Sequence, residues 1–215
     1  MKREWNERAS ENARHHVAGS RSDWDERSFS PSGAGSVQKR VLSDPLVAAL
    51  GDLSTKRMVE IGCGVGRMTE HLAGLFGEVH AVDVSGELIR RARERLAHVA
   101  NVVVHETSGA DLGPLPSDAF DLAFSFVVFQ DVPFRDAIVG MLADAHRVLK
   151  PGGLLKFQVQ GCVEHWYVEA PKDTWTGVSF SVEETAVLAA ELGFDVLRTE
   201  GAGTQYFWNW WRRRP

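Results

Sequence analysis

The sequence predicts an α/β fold in which seven strands form a doubly wound sheet, the last strand is antiparallel, and a helical lid precedes the sheet. Three observations support this prediction. Strand-like and helix-like segments alternate from Met58 onward, a glycine-rich loop follows the first strand, and a glycine-bearing turn joins the last two strands. Strands that alternate with helices form parallel sheets covered on both faces, and a closing hairpin reverses the last strand.

Composition narrows the class of protein. A chain of 215 residues with 44% hydrophobic residues can form one domain with a modest extension. The net charge of −5 and the pI near 5.9 argue against a nucleic-acid partner. Neither the two cysteines nor the eight histidines show metal-ligand spacing, so no metal site is predicted. The polar N-terminus and the lack of a long apolar run predict a cytoplasmic protein without a membrane partner.

The first 40 residues are polar and are interrupted by isolated aromatic residues. Helices are predicted over Glu4–Val17 and Val37–Leu50, and the Ser, Gly and Pro content of Ser28–Ser36 predicts a loop between them. Isolated aromatic residues in such a segment usually anchor it to another surface. We therefore divide the chain into a lid segment, residues 1–40, and a main domain, residues 41–215; a frayed N-terminal tail is the alternative.

The main domain is read as strands separated by helices and turns. An amphipathic helix is predicted from Arg67 to Phe76, and Ser85 is a candidate N-cap for the next helix. A helix from Asp136 to Leu149 is expected to stop at the turn Lys150–Gly153, and Ser181 begins a capping box. The predicted strands are Met58–Ile61, Val79–Asp83, Val102–His105, Phe120–Phe126, Leu154–Val159, Val196–Thr199 and Gln205–Trp211.

The glycine loop indicates which cofactor the fold holds. Its pattern is Gly62-x-Gly64-x-Gly66, and Arg67 stands where a dinucleotide site would need a third glycine. Glu60, just before the loop, would repel a pyrophosphate but suits an ammonium group. Asp83, at the end of the second strand, can accept hydrogen bonds from the ribose hydroxyls of either NAD or S-adenosylmethionine.

Four segments together resemble the class I S-adenosylmethionine-dependent methyltransferases of the small-molecule type. They read VEIGCGVGR, HAVDVSGELI, SDAFDLAFSFVVFQDVP and RVLKPGGLLKFQV, and the resemblance covers roughly residues 56–160. It implies a Rossmann-like sheet of seven strands with the last antiparallel. It also implies S-adenosylmethionine as methyl donor and S-adenosylhomocysteine as product.

The resemblance also implies a set of cofactor-binding residues. Glu60 lies near the amino group, Asp83 takes the ribose hydroxyls and Val84 packs on the adenine. Family members often carry an acid at the position of Ser108, and here Asp111 or backbone groups take its place. The remaining implied residues are Gly62, Cys63, Gly64 and Gly66 around the methionine part, Gly109 and Ala110 beside the adenine amino group, and Ser125 and Phe126 facing the sulfonium. For Cys63, packing is the expected role and a catalytic thiol the alternative.

The sequence gives less specific signals for the methyl acceptor than for the cofactor. The chain lacks the Asn-Pro-Pro-Tyr sequence typical of relatives that methylate nucleic-acid amino groups, so a small-molecule acceptor is predicted. If the acceptor is a neutral hydroxyl, a general base is useful. The candidates are Asp131, His165 and, if the N-terminal segment folds over the site, His16. Asp131 has the alternative role of capping the helix after Pro133. Trp166, Tyr167 and Trp175 are candidate pocket walls, and burial of their loop is the alternative role.

The predicted function is methyl transfer from S-adenosylmethionine to a small molecule by in-line displacement. Holding donor and acceptor in line supplies much of the acceleration of such a reaction. A non-catalytic cofactor-binding or partner-binding protein with the same fold is the main alternative. An NAD-dependent reductase is a further alternative, which would require the glycine spacing to be tolerated.

Overall fold

The computed structural model describes residues 1–18, 23–162, 164 and 171–215. These residues group into two units, Lys2–Thr107 and Ser108–Pro215, and Met1 groups with the second. Among the described residues, no helix combines the length and the apolar character needed to cross a bilayer.

The first unit carries the glycine loop. Its helices are α1 Lys2–Ala18, α2 Glu26–Val37, α3 Pro45–Ala48, α4 Thr69–Ala73 and α5 Gly86–Leu96. Its strands are β1 Arg57–Ile61, β2 Glu78–Asp83 and β3 Val102–Glu106, and β2 pairs in parallel with both of the others. Ser85 caps α5 as predicted, since its Oγ accepts from Leu88 N at 3.2 Å. The carboxyl ends of β1 and β2 therefore meet at one edge, where Glu60 and Asp83 lie.

The second unit contains β4 Phe120–Ser125, α6 Arg135–Val148, β5 Leu149–Val159, α7 Val182–Glu191, β6 Phe194–Glu200 and β7 Phe207–Arg213. β4 and β5 are parallel, whereas β7 is antiparallel to both β5 and β6. The capping box at Ser181 is confirmed, with both reciprocal hydrogen bonds to Glu184 present. The strand order β3-β2-β1-β4-β5-β7-β6 confirms the predicted seven-stranded sheet with an antiparallel last strand.

The prediction of a loop over Ser28–Ser36 is wrong, because these residues lie in α2. Asp25 caps the helix by accepting from Ser28 N at 2.9 Å, and Phe29 is fully buried. Gly33 lies so close to the segment before α4 that a β-carbon there would be 2.1 Å from Arg67 O. Packing of this face outweighs the weak helix propensity of Ser, Gly and Pro31.

Two further predictions are corrected. The predicted helix Val37–Leu50 is broken, because a π-helical turn at Gln38–Leu42 and the short α3 replace its regular course. Lys150–Gly153 is not a turn between elements. In the pairing of β4 with β5, Phe120 lies opposite Leu149 and Leu122 lies opposite Leu154. The residues between Leu149 and Leu154, which are Lys150–Gly153, therefore form a bulge inside β5.

Candidate cofactor site

The loop after β1 requires glycine at alternate positions. Gly62, Gly64 and Gly66 have φ values of 77°, 58° and 81°, in the left-handed region that side chains disfavour. The N–H groups of Gly62 and Cys63 both donate to Val82 O, at 2.8 and 3.0 Å. The loop is thereby attached to the end of β2, and its backbone can approach a ligand closely.

Cys63 is buried in this loop, with Sγ 3.7 Å from Gly64 O. Burial, together with the nearby carboxylates of Asp83 and Glu60, raises the pKa of its thiol well above the usual range. A thiol that stays protonated is a poor nucleophile, so the surroundings of Cys63 favour packing over a catalytic role.

Glu60 is a buried acid, 5% exposed. Thr69 Oγ1 donates to its Oε2 at 2.6 Å, and no cation in the described part of the chain lies within ion-pair distance of it. Burial raises the pKa of Glu60 to about 7; Thr69 and Arg67 lower it, and Asp83 adds a smaller increase. A buried acid with only a hydroxyl partner is complementary to a cationic ligand.

Asp83 ends β2 and holds two backbone groups. Its Oδ2 accepts from Gly64 N at 3.0 Å and its Oδ1 from Ser85 N at 2.9 Å. Burial raises the pKa of its carboxyl, and the backbone hydrogen bonds oppose this shift. Each carboxylate oxygen can accept a second hydrogen bond, so Asp83 retains capacity for a pair of hydroxyls. Val84 follows it and is half-buried.

Arg67, at the end of the loop, is a cation that the sequence reasoning did not assign to binding. Its Nη1 donates to Ser36 Oγ at 3.1 Å and to Ser32 Oγ at 3.4 Å. No carboxylate among the described residues lies within ion-pair distance of it, and burial lowers the pKa of its guanidinium. The signal in the sequence was its position directly after the last glycine, but its serine partners on α2 appear only in the folded chain.

His16, one of the predicted bases, lies in α1 in the same unit. It is half-buried, and its Nε2 is 3.7 Å from Glu11 Oε2. Burial, followed by the charge of His15, lowers the pKa of its imidazole. The next residue, Val17, contacts Gly64, so α1 brings His16 close to the glycine loop. His16 therefore remains a candidate base.

The second unit contains the residues predicted beside the adenine. Gly109 is buried with φ of 80°, whereas Ala110 and Asp111 are exposed. The Asp111 carboxylate accepts from Ser108 Oγ and from Gly113 N, both at 2.8 Å. Both polar side chains of this turn thus bond within it, and the turn presents Ala110 outward.

The residues after β4 belong to the same unit. Ser125 is fully buried, and its Oγ has no hydrogen-bond partner among the described residues. Phe126 stacks on Trp208 with ring centroids 5.5 Å apart. Asp131 ends a 3₁₀ turn, Phe129–Asp131, and is half-buried. The N-cap position of α6 is occupied by Phe134, which forms no side-chain cap, so the alternative capping role of Asp131 is wrong.

Gln130 and Gln158 form a buried pair of side-chain amides that the sequence reasoning missed. Gln158 Nε2 donates to Gln130 Oε1 and, at 3.1 Å, to Gln205 O. Gln158 is fully buried and its Oε1 has no partner among the described residues. Ionisable side chains were considered as candidates for the site from the sequence, and glutamine side chains are neutral. The predicted base His165 and the predicted pocket walls Trp166 and Tyr167 lie outside the described residues.

Comparison with known proteins identifies similar chains. Residues 59–157 match the family model described as a methyltransferase domain. A malonyl-[acyl-carrier protein] O-methyltransferase of Salmonella typhimurium is 34% identical over 118 residues, which are 54% of this chain and 43% of the relative. A ubiquinone biosynthesis O-methyltransferase of Xanthomonas oryzae pv. oryzae is 34% identical over 110 residues, 51% of this chain and 45% of the relative. The matched region thus spans less than half the length of these relatives.

A solved structure supports the fold. Phosphoethanolamine N-methyltransferase 1 of Haemonchus contortus, in complex with phosphoethanolamine and S-adenosylhomocysteine, superposes with a TM-score of 0.70 at 19% identity. The superposition covers 100% of this chain and 48% of that one.

Proposed function

We propose that the chain is a class I S-adenosylmethionine-dependent methyltransferase that transfers a methyl group from this cofactor to a small-molecule acceptor, and the match of residues 59–157 to a methyltransferase-domain model supports this. The observation that carries the proposal is the buried, cation-free carboxyl of Glu60, which stands directly before the glycine loop. The amino-acid end of S-adenosylmethionine presents an ammonium group, the partner that this carboxyl lacks.

The residues of the first unit fit the cofactor in three parts. Glu60 would hold the ammonium, and the loop from Gly62 to Gly66 would surround the methionine part. Asp83 would accept from the ribose hydroxyls while it keeps its bonds to Gly64 N and Ser85 N. We add Arg67, whose hydroxyl-bonded guanidinium would hold the cofactor carboxylate. Glu60 and Arg67 together would then match a zwitterionic α-amino acid.

The cofactor, when bound, supplies a methyl group activated by its sulfonium. The chain contributes orientation and the exclusion of water. Within the second unit, Ser125 and Phe126 are proposed to face the reacting groups, and Gly109, Ala110 and Asp111 to border the adenine. These assignments follow from the family resemblance; the burial of Ser125 and of Gly109 is compatible with them.

The acceptor is proposed to be a small molecule that presents oxygen. Two relatives are named as O-methyltransferases, one acting in ubiquinone biosynthesis and one on a malonyl group attached to acyl-carrier protein. A neutral hydroxyl reacts faster when a base removes its proton. Asp131, His16 and His165 are the proposed bases. Of these, the pKa of His16 lies below its ordinary value, which keeps its imidazole neutral and able to accept a proton near pH 7.

Isothermal titration of S-adenosylhomocysteine tests the proposal. Asp83→Ala should raise the dissociation constant on the order of 10- to 100-fold, the size expected for lost charge-assisted hydrogen bonds. Asp195→Ala is the matched control, because Asp195 is exposed in the second unit and forms an ion pair with Arg214 at 2.7 Å. An unchanged constant in Asp83→Ala would show that the ribose is held elsewhere.

Two other outcomes separate the alternatives. Binding of S-adenosylhomocysteine without turnover on a panel of hydroxyl acceptors would favour a non-catalytic cofactor-binding protein. Binding of NADH without binding of S-adenosylhomocysteine would favour a reductase and refute the proposal.

A further inference from the structure

Helix α1 contacts the rest of its unit on both sides of a kink at Asn12, where φ is −159° and ψ is 82°. The side chains that make these contacts are Lys2, Trp5, Asn6 and Ala9 before the kink, and Ala13, Arg14, Val17 and Ala18 after it. Ala9 and Ala13 are 1% and 3% exposed and pack in a cluster with Val65 and Leu88. Trp5, Val17 and Ala18 of the same helix pack against this cluster from partly buried positions. These apolar contacts hold α1 against the unit, and the hydrogen bonds of Asn6 fix its position there.

The main polar contact is Asn6. Its Oδ1 accepts from Ser85 Oγ at 2.7 Å and from Glu87 N at 3.3 Å. Ser85 is fully buried, and its Oγ also caps α5 by accepting from Leu88 N. The backbone N–H of Ser85 donates to Asp83 Oδ1 at 2.9 Å. Asn6 therefore fixes the residue that holds one oxygen of the proposed ribose-binding carboxylate.

The other end of α1 contacts the residue whose backbone N–H donates to the second oxygen of the same carboxylate. Val17 packs on Gly64, where a β-carbon would lie 2.7 Å from Val17 Cγ2. Gly64 N donates to Asp83 Oδ2 at 3.0 Å. The two residues that carry these backbone donors are thus contacted by α1, since Val17 packs on Gly64 and Asn6 accepts a hydrogen bond from the Ser85 hydroxyl. Two ion pairs, Lys2 Nζ to Glu106 Oε1 at 2.5 Å and Arg14 Nη2 to Glu26 Oε2 at 2.8 Å, join exposed side chains and add little.

We propose that Asn6 is a positioning residue for the methyl-transfer reaction. By holding Ser85, it docks α1 over the donors to Asp83, so the cofactor leaves only after this contact opens. This inference rests on the proposed function, since it assigns the ribose of the cofactor to Asp83. Asn6 itself touches neither the cofactor nor the acceptor.

The test measures how fast S-adenosylhomocysteine leaves the full-length protein in a stopped-flow displacement experiment. Asn6→Ala removes both acceptor contacts and should speed dissociation about tenfold, with a matching rise in KM for the cofactor. Asn6→Asp keeps an acceptor at the N-terminus of α5, where negative charge is favoured, and should restore slow dissociation. Glu7→Ala is the control, because Glu7 is exposed and its carboxylate lies 3.7 Å from Arg3 on the same helix.

Amide hydrogen exchange of α1 separates this proposal from the proposed function. Without cofactor, α1 should exchange faster in Asn6→Ala than in the wild-type chain, and Asn6→Asp should resemble the wild type. Equal dissociation rates in all variants, or faster exchange of α1 when S-adenosylhomocysteine binds to the wild type, would overturn the positioning role. If the wild type binds no S-adenosylhomocysteine, the proposed function fails, and the exchange of the cofactor-free variants still decides whether Asn6 docks α1.

Discussion

Replacing Glu60 by glutamine should stabilise the cofactor-free protein and weaken cofactor binding. The pKa of Glu60 is raised from 4.5 to about 7 by burial, so the folded state holds its proton more tightly than the unfolded chain does. Stability is then greatest below the unfolded pKa and is lost as pH rises through the folded pKa. Since one pKa unit corresponds to about 1.4 kcal/mol, the loss is about 1–2 kcal/mol near pH 5.5 and about 3 kcal/mol near pH 8.

Glutamine at position 60 does not ionise, so this loss of stability is absent, and its side chain has nearly the same shape as that of glutamate. Its amide oxygen can still accept from Thr69 Oγ1, which donates to Glu60 at 2.6 Å. Glu60→Gln should therefore gain up to about 3 kcal/mol over the wild type near pH 8 and about half of that near pH 5.5. Urea denaturation at the two pH values measures both differences. Glu78→Gln is the control, since its hydrogen bonds to Arg57 and His80 lower the pKa of Glu78 and this variant should lose stability instead.

Binding should change in the opposite direction. A neutral amide cannot balance an ammonium group, so the dissociation constant of S-adenosylhomocysteine should rise at least tenfold. Near pH 7, binding to the wild type should also release about half a proton, because Glu60 must ionise. Calorimetry in two buffers with different ionisation enthalpies measures this release. If the stability of Glu60→Gln tracks the wild type from pH 5.5 to 8, or no proton is released, the reasoning about Glu60 is refuted.

Two further predictions concern the first unit. Gly33→Ala should destabilise the protein by about 1–3 kcal/mol, because its β-carbon would meet the backbone at Arg67 O. Gly35→Ala in the same helix is the control, since its β-carbon would meet nothing within 4 Å. This control should be neutral or stabilising in the same urea denaturation experiment. His105 has a pKa lowered by burial, then by His80 and Arg93, so its contribution to stability is complete above the unfolded pKa of about 6.5 and falls as pH drops below it. The difference in unfolding free energy between wild type and His105→Asn should therefore shrink from pH 7.5 to pH 5.5; a constant difference would exclude this role.

The order of strands was predictable because its signals are local. Apolar runs of strand length, bounded by glycine and proline, identified all seven strands to within a few residues, except that β5 begins five residues earlier. Helix α2 was not predictable in this way. Its Ser, Gly and Pro residues favour a loop, and its stability comes from Phe29 and Gly33 packing against elements distant in sequence.

The same distinction applies to the site. Glu60 and Asp83 were predictable because the carboxyl ends of adjacent parallel strands lie side by side, whatever packs around them. The partners of Arg67 and Asn6 were not, since Ser36 and Ser85 come near them only after α1 and α2 have docked. The lid segment was proposed from isolated aromatic residues. These residues, Trp5, Trp24 and Phe29, pack in one cluster with Ala9 and Ala13 of α1 and with Val65 and Leu88. The amide of Asn6, which holds α1 at Ser85, is not singled out by composition.

The two acids of the site together connect stability with binding. Burial raises the pKa of both Glu60 and Asp83, and the charge of Asp83 raises that of Glu60 further. Each acid alone would be stabilised by protonation, but a protonated Glu60 cannot pair with an ammonium group. A ligand that carries both an ammonium group and ribose hydroxyls would stabilise the ionised carboxylates of Glu60 and Asp83 together. The stabilisation by saturating S-adenosylhomocysteine should therefore be larger near pH 8 than near pH 5.5, because a ligand that binds only the folded chain adds its binding free energy to stability.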